Sequence, residues 1–311
     1  MRNHIISALQ LGSAPEGTAV TVEHILAYEK EIIETQSRLL VLPEAVLGGY
    51  PKGSDFGTRV GYRTDEGRQE FLHYWQQTID LDGPEIQAVT QLAKRCDTTI
   101  VIGVIERGGS TLYCTALFIS NEGHLVAKHR KLIPTASERL IWGRGDGSTI
   151  PVLQTATGKI GAAICWENYM PLLRTTMYAK GIEIWCAPTV DDRDIWQASM
   201  RHIAYEGRCF LISACQYIQA PAKIKDKSWP PNKPLIRGGS VIVSPMGEIL
   251  AGPLYEAEGL VSAEINLDEL VKARYDLDPV GHYARPDIFK LTVNEQACPP
   301  FVSIDQPSAK S

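Results

Sequence analysis

Three short segments place a reactive side chain at the end of an apolar run. The first is KIGAAICWEN, residues 159–168, in which small apolar residues lead to Cys165. A thiol at the junction of a strand and a helix lies at the rim of a sheet, where backbone N–H groups lower its pKa and stabilise an oxyanion. This pattern indicates a nucleophile, and a buried cysteine at a strand end is the alternative.

The other two segments offer a cation and a carboxylate. Lys131 lies in KHRKLIPT, where apolar residues follow three basic ones, so the chain turns inward. A lysine near a thiol favours the thiolate. Glu44 closes the apolar run LLVLPE, and burial of its charge requires a partner such as Lys131. Taken singly, the basic run has an alternative as a solvated face, and Glu44 as a strand-end residue facing solvent.

Alternating elements must position these residues. Apolar runs predict strands over residues 5–11, 38–44, 99–106, 111–120, 124–128, 159–164, 182–187, 210–216, 239–244, 248–251 and 260–265. Helical spacing predicts helices over residues 20–37, 83–96, 171–180 with Gly181 after the end, and about 191–208. In the last helix, Asp191–Asp194 would supply the N-cap, and the inner stripe would hold Ile195, Ser199, Ile203 and Ala204. The mixture of alternating elements and hairpins favours a layered α/β fold with mixed sheets.

The composition excludes several classes of function. The chain has 311 residues, of which 44% are hydrophobic and 22% charged, and its net charge is −5. Its basic residues are scattered, so neither a nucleic-acid groove nor binding to an anionic membrane surface is predicted. No run approaches the ~20 apolar residues that cross a bilayer. Residues 1–298 are predicted to form one domain and residues 299–311 a flexible tail, and the proline-rich stretch 220–235 is predicted to be a surface loop, a candidate lid.

The cysteines are spaced too widely for a metal site. The chain has seven, none in a CxxC pair or in a Cys/His cluster with metal-ligand spacing. No metal is therefore predicted, and free thiols fit a reducing cytoplasm. Two similar turns, SNEGHL from Ser120 and SPMGEIL from Ser244, could mark two related halves that each contribute a sheet, although generic hairpin chemistry explains them almost as well.

Together these segments resemble the nitrilase superfamily of carbon–nitrogen hydrolases, which places a Glu after one strand, a Lys after a later strand and a Cys after a third. Here these residues are Glu44 in LPEAVLGGYPKG, Lys131 in HRKLIPT and Cys165 in CWEN. The resemblance continues through ERLIWGRGDGS, DRDIWQASMRHIAYEGRCFLISACQ and DPVGHYARPDIFKL, and so spans almost the whole chain. The segments CWEN and ERLIWGRGDG are similar to the nitrilase branch rather than to amidases or carbamoylases.

The resemblance implies a four-layer αββα sandwich of two mixed β-sheets, with the catalytic residues at one end. It implies hydrolysis of an organic nitrile to the acid and ammonia through a Cys165 thioimidate and thioester, without a metal or organic cofactor. Glu138 resembles the family's second glutamate, which orients Lys131. The helices after Cys165 and after Asp191 would form a homodimer, the building block of a larger homo-oligomer. Carried over as substrate-binding residues, with core packing as the alternative, are Tyr50, Thr135, Trp142, Trp166, Ala187 and Thr189.

Several rival functions remain open at this point. An amidase, a carbamoylase or a cyanide-hydrating enzyme of the same superfamily would use the same residues. A Cys–His hydrolase would use His129 or His202 as the base, although packing roles are the alternative for both. A non-catalytic scaffold would require degraded catalytic positions, and Glu44, Lys131 and Cys165 are intact.

Overall fold

The computed structural model describes residues 3–220, 229–230 and 232–299. In the first part of the chain it places β1 (Asn3–Gln10), α1 (Thr18–Ala27), α2 (Glu29–Thr35), β2 (Ser37–Val41), α3 (Asp65–Gln77), α4 (Pro84–Arg95), β3 (Thr99–Gly108), β4 (Thr111–Ile119) and β5 (Leu125–Arg130). The second part contains β6 (Val152–Thr155), β7 (Gly158–Ala162), α5 (Pro171–Ala179), β8 (Ile184–Thr189), α6 (Asp194–Gly207), β9 (Phe210–Cys215), β10 (Tyr217–Ile218), β11 (Ile236–Val243), β12 (Ile249–Tyr255), β13 (Gly259–Asn266) and α7 (Asp268–Asp276).

The strands form two mixed sheets. The first has the order β13-β1-β2-β3-β4-β5, and the second β10-β11-β9-β8-β7-β6 with β12 paired to β11. Strands β1, β2 and β3 are parallel, and β4 reverses the direction so that β5 again runs like β3. The ends of β2 and β5, which precede Glu44 and Lys131, therefore lie at the same edge of the first sheet. In the second sheet β7 is parallel to β8, and Cys165 follows the end of β7.

Alternation along the first sheet separates two cores. Leu39 and Val41 of β2 face the core between the sheets, whereas Leu40 between them packs into an outer core with residues of α1 and α4. Successive side chains of a strand point to opposite faces, so a wholly apolar strand must be covered on both. The first sheet is therefore covered by helices on one face and by the second sheet on the other.

The second sheet is also covered on both faces, by the first sheet on one and by helices on the other. Cys186 of β8 faces the core between the sheets, whereas Trp185 and Ala187 pack into another outer core with α5 and α6. Helix, sheet, sheet and helix thus follow one another, which confirms the predicted αββα sandwich. The two similar turns lie in different sheets, one between β4 and β5 and the other between β11 and β12.

Some local predictions were wrong. The predicted helix over residues 20–37 is two helices, α1 and α2, that meet at Tyr28. In α6 the N-cap is Arg193, without a capping side chain, and the buried stripe contains Trp196 and Met200. Ile203 and Ala204 of the predicted stripe are buried, whereas Ile195 is 59% exposed, because Trp196 and Met200 take the inward positions earlier in the helix. Residues 221–228 and 231 of the predicted loop, and all but Pro299 of the predicted tail, lie outside the described residues.

Among the helices that the structure describes, none has both the length and the apolar character needed to cross a membrane.

Candidate active site

A buried lysine lies between two carboxylates at the shared strand edge. The Lys131 ammonium donates to Glu44 Oε1 at 2.7 Å and to Glu138 Oε2 at 2.8 Å. Glu44 and Lys131 are completely buried, and Glu138 is 8% exposed. Glu138 is fixed in turn, because the Tyr50 hydroxyl donates to its Oε1 at 2.8 Å and the Thr135 amide donates to its Oε2 at 2.6 Å. Charges buried this deeply are tolerated only when they are paired in this way.

Burial controls the proton affinities in this group. Burial raises the pKa of Glu44 above its ordinary value, and the neighbouring Lys131 offsets only part of that rise. Burial disfavours the charge on Lys131, but the negative groups around it, Glu44 foremost, outweigh this and raise its pKa. The lysine is therefore a fixed cation, whereas Glu44 has a higher affinity for a proton than an ordinary carboxylate.

One oxygen of Glu44 remains available for chemistry. Glu44 Oε1 accepts from Lys131 and, at 3.6 Å, from the thiol of Cys114, whereas Oε2 is buried without a hydrogen-bond partner among the described residues. A buried carboxylate oxygen without a partner is costly, so it requires an explanation. Cys165 lies near enough to influence the pKa of Glu44, so the free oxygen belongs to the carboxylate beside this thiol.

Cys165 is held in an unusual backbone conformation. Its φ is +51°, in the left-handed region, at the start of a 3₁₀ turn over Cys165–Tyr169. A residue with a Cβ adopts this region only under constraint, and such strain is concentrated at functional sites. The thiol is 4% exposed, and burial together with the charge of Glu44 raises its pKa, although Lys131 acts in the opposite direction. The thiol therefore needs a base that accepts its proton during attack.

An open pocket of about 760 Å³ leads to Cys165. Aromatic rings contribute to its wall, and ionic side chains lie among them. The lining residues include Tyr50, Lys52, Phe56, Arg63, Phe71, Thr135, Glu138, Cys165, Trp166, Asp191, Asp192 and Arg193. Its volume suits a small organic molecule. The wall is therefore of mixed character, part aromatic and part charged.

The model of the carbon-nitrogen hydrolase family matches residues 5–275. The chain belongs to the carbon–nitrogen hydrolase family. It is 50% identical over 294 residues to a nitrilase of Bradyrhizobium diazoefficiens, covering 93% of this chain and 92% of that protein. It is 49% identical over 320 aligned residues to a bifunctional nitrilase/nitrile hydratase of Nicotiana tabacum, covering 100% and 90%. A solved carbon–nitrogen hydrolase of Helicobacter pylori shares the fold, with a TM-score of 0.73 at 20% identity over 93% of this chain and 97% of that one.

Three of the six pocket residues expected for this carbon–nitrogen hydrolase line the pocket: Tyr50, Thr135 and Trp166. Thr189 is fully buried and lies near enough to lower the pKa of the Cys165 thiol, and its hydroxyl accepts from the Asp191 amide at 2.9 Å.

Trp142 and Ala187 lie outside the pocket lining. The Trp142 indole donates to the Tyr74 hydroxyl at 3.1 Å, and its ring lies 5.6 Å from Lys131 Nζ, so it packs behind the lysine. Ala187 faces the opposite side of the second sheet, because it is one residue out of phase with the inward-facing Cys186. A substrate-binding role stays a prediction for both residues.

Sequence reasoning missed the group that holds Trp166. Asp191 Oδ2 accepts the Trp166 indole N–H at 2.8 Å, and Arg193 binds both oxygens of Asp191. The Arg193 guanidinium also lies 4.9 Å from the centre of the Trp166 ring. The sequence around Asp191 predicts a helix cap, and its position after the end of β8 is the one signal that indicates a site residue.

Neither histidine of the rival Cys–His mechanism is placed as a base for Cys165. Both ring nitrogens of His129 are occupied, by the Thr149 carbonyl and by Glu167. His202 lies on α6, where its side chain is 64% exposed and pairs with Glu206. In the described part of the chain, no group of His, Cys, Asp and Glu side chains could hold a metal ion.

Proposed function

We propose that the protein hydrolyses an organic nitrile to its carboxylic acid and ammonia, with Cys165 as the nucleophile. The observation that carries this proposal is the arrangement of three residues. Glu44, which has a raised pKa and one oxygen without a hydrogen-bond partner among the described residues, lies beside Cys165 with its left-handed backbone, and Lys131 is fixed as a cation next to both. Identity near 50% to proteins named as nitrilases, over almost the whole chain, supports the nitrile as the substrate class.

In the first step, Glu44 accepts the thiol proton while sulfur forms a bond to the nitrile carbon. The proton passes from Glu44 to nitrogen, so that a neutral thioimidate is formed. Lys131 and the backbone N–H of Trp166 stabilise the negative charge that develops on nitrogen. Glu138 keeps the ammonium in place, because it binds Lys131 and is itself held by Tyr50.

In the second step, Glu44 accepts a proton from water as the oxygen adds to the thioimidate carbon. Protonation of the nitrogen lets ammonia leave from the tetrahedral intermediate and gives a thioester. A second water, activated in the same manner, releases the acid and restores the thiol.

The tetrahedral intermediate has two possible leaving groups. If sulfur leaves instead of ammonia, the product is the amide. The relative in Nicotiana tabacum is named for both activities, which supports a measurable amide fraction here. A single assay that quantifies acid, amide and ammonia determines the partition.

A substrate panel with one active-site variant tests the proposal. Wild type should release ammonia from an aliphatic nitrile, benzonitrile or phenylacetonitrile faster than from the corresponding amide or from free cyanide. Cys165→Ala should release none, whereas Cys298→Ala, which alters an exposed thiol, should behave like wild type. Faster turnover of the amides would instead identify an amidase or a carbamoylase. Preferred conversion of cyanide to formamide, which is measured as formamide because it releases no ammonia, would identify a cyanide-hydrating enzyme. Full activity of Cys165→Ala on a nitrile would refute the mechanism.

We further propose that α5 and α6 form a homodimer interface from which a larger homo-oligomer is built. Both helices expose large apolar side chains, among them Leu172 at 68% and Ile195 at 59%. Replacing Leu172 by Glu should shift the mass measured by light scattering toward the monomer. An unchanged mass would place the interface elsewhere.

Two proposals concern the chain as a whole. Residues 1–298 are proposed to be one domain, because the core between the sheets takes side chains from both of them. A cytoplasmic location is proposed because all seven cysteines are free thiols.

A further inference from the structure

A buried ion pair lies directly behind the catalytic residues and takes no part in the proposed mechanism. His129 and Glu167 are both completely buried, and His129 Nε2 lies 3.0 Å from Glu167 Oε2. His129 Nδ1 is hydrogen bonded to the Thr149 carbonyl oxygen. A carbonyl and a carboxylate are both acceptors, so both ring nitrogens must carry hydrogen, and the ring is an imidazolium.

The Glu167 carboxylate has two further partners, one that follows a strand of the first sheet and one that follows a strand of the second. Its Oε1 accepts the backbone N–H of Leu132 at 2.6 Å, and its Oε2 accepts the backbone N–H of Ile164 at 2.7 Å. Leu132 follows Lys131 in the chain, and Ile164 precedes Cys165. Each amide thus belongs to the residue next to a catalytic one.

This arrangement addresses a geometric problem of the site. Lys131 follows β5 of the first sheet and Cys165 follows β7 of the second, so no strand pairing fixes the distance between them. We propose that Glu167 is a positioning residue that clamps the Lys131 and Cys165 segments together across the two sheets, with His129 as the counter-ion that holds its carboxylate in place. This proposal rests on the role assigned to Cys165 under the proposed function.

The pair has the properties that such a clamp needs. Burial opposes the charge on both partners, but their mutual attraction lowers the pKa of Glu167 and raises that of His129, so both stay ionised near neutral pH. Hydrogen bonds from amides to a charged carboxylate are about twice as strong as neutral ones. A rigid, charged acceptor therefore fixes two backbone segments, as supporting groups must for catalytic geometry to be kept.

The test compares Glu167→Gln with Glu106→Gln. Glu106 is also a buried, paired carboxylate, and it binds Lys128 at 2.6 Å and Arg130 at 3.0 Å, the neighbours of His129 on the opposite face of β5. The control therefore disturbs the same strand without touching the clamp. The glutamine at position 167 keeps the size of the side chain but cannot accept with both terminal atoms, so one amide bond is lost.

Two readouts separate positioning from a general loss of structure. For a nitrile that wild type hydrolyses, kcat of Glu167→Gln should fall by about 100-fold, the effect of a displacement near 1 Å at a reacting centre. KM should stay near the wild-type value, because the pocket wall is unchanged. Alkylation of Cys165 by iodoacetamide, followed by mass spectrometry, should also be at least about tenfold slower, because a displaced Lys131 stabilises the thiolate less. Glu106→Gln should match wild type in both measurements at a temperature where all three proteins are folded.

Equal kcat and equal labelling rates in the two glutamine variants would overturn the proposal, as would labelling in Glu167→Gln that is as fast as in wild type. If wild type released no ammonia from any nitrile, the proposed function would fail, and the labelling comparison would still decide whether the clamp exists.

If Glu167→Gln does not fold, His129→Gln replaces it, since both amide bonds remain there. Its kcat should then fall by about tenfold at constant KM, and a kcat equal to that of Glu106→Gln would overturn the proposal.

Discussion

Replacing Lys131 by Met should destabilise the protein in a manner that depends on pH. The side chain would keep nearly the same length, but two buried carboxylates that now lie 2.7 and 2.8 Å from the ammonium would lose their shared cation. Removal of one partner from a buried ion pair costs about 3–5 kcal/mol, because the remaining charge is left without compensation. This is a large part of the roughly 5–15 kcal/mol by which folded domains are stable.

The direction of the pH effect follows from Glu44. Burial raises its pKa in the folded protein, and Lys131 is the influence that lowers it. Without the lysine the folded-state pKa rises further, whereas the unfolded-state value stays the same. A carboxyl group with a raised folded pKa stabilises the fold at low pH, and this contribution is lost as pH rises through that pKa. The loss in the variant should therefore be larger at pH 8 than at pH 5.5, by about 1.4 kcal/mol for each pH unit between the wild-type and variant pKa values.

Urea unfolding followed by the fluorescence of the six tryptophans measures both effects. Adding Glu138→Gln to the variant removes one of the two orphaned carboxylates and should recover at least about 1 kcal/mol, without recovery of ammonia release. A loss below about 1 kcal/mol, or the same loss at both pH values, would refute the assignment of Lys131 as the buried counter-ion of Glu44.

Three further variants test neighbouring groups. In Glu44→Gln, turnover should fall by about 10²–10⁴-fold. The kcat/KM of wild type should decline as pH falls through a pKa above the ordinary carboxylate range, and this decline at low pH should be absent in the variant. Tyr50→Phe removes the 2.8 Å bond to Glu138 and should lower kcat by about tenfold, which single-turnover kinetics would show. Asp191→Asn weakens the bond that fixes Trp166; KM for an aromatic nitrile should rise while kcat changes little, and an unchanged KM would show that the ring does not contact substrate.

The strand-end positions of Glu44, Lys131 and Cys165 could be predicted because each depends on a local signal. Each signal is the point at which an apolar run stops: at a proline before Glu44, at a basic cluster before Lys131 and at a run of small residues before Cys165. Such a point marks the end of a buried strand wherever the strand lies in the fold. The N-terminal proline of α4 and Gly181 after α5, with its φ of +79°, are signals of the same local kind. Each of these expectations needs only a few neighbouring residues.

Features that depend on phase or on distant partners could not be predicted in this way. Ala187 was assigned to the pocket, but a shift of one residue along β8 reverses the face, and only the packed sheets fix that phase. Helix α3 was missed because its sequence, DEGRQEFLHYWQQ, is polar, and Gly67 is its one buried residue. The partnership of Asp191 with Trp166 joins residues 25 positions apart, which no spacing rule predicts.

The left-handed backbone of Cys165 lowers the stability of the fold, because the catalytic side chain requires a residue with a Cβ at this position. A left-handed conformation costs a residue with a Cβ about 1–2 kcal/mol, and glycine is free of this penalty. Cys165→Gly should therefore be inactive and yet unfold at a higher urea concentration than Cys165→Ala, which retains the strain. Selection for robustness alone would remove the thiol from this turn, so its presence indicates that reactivity has been retained at the expense of the fold.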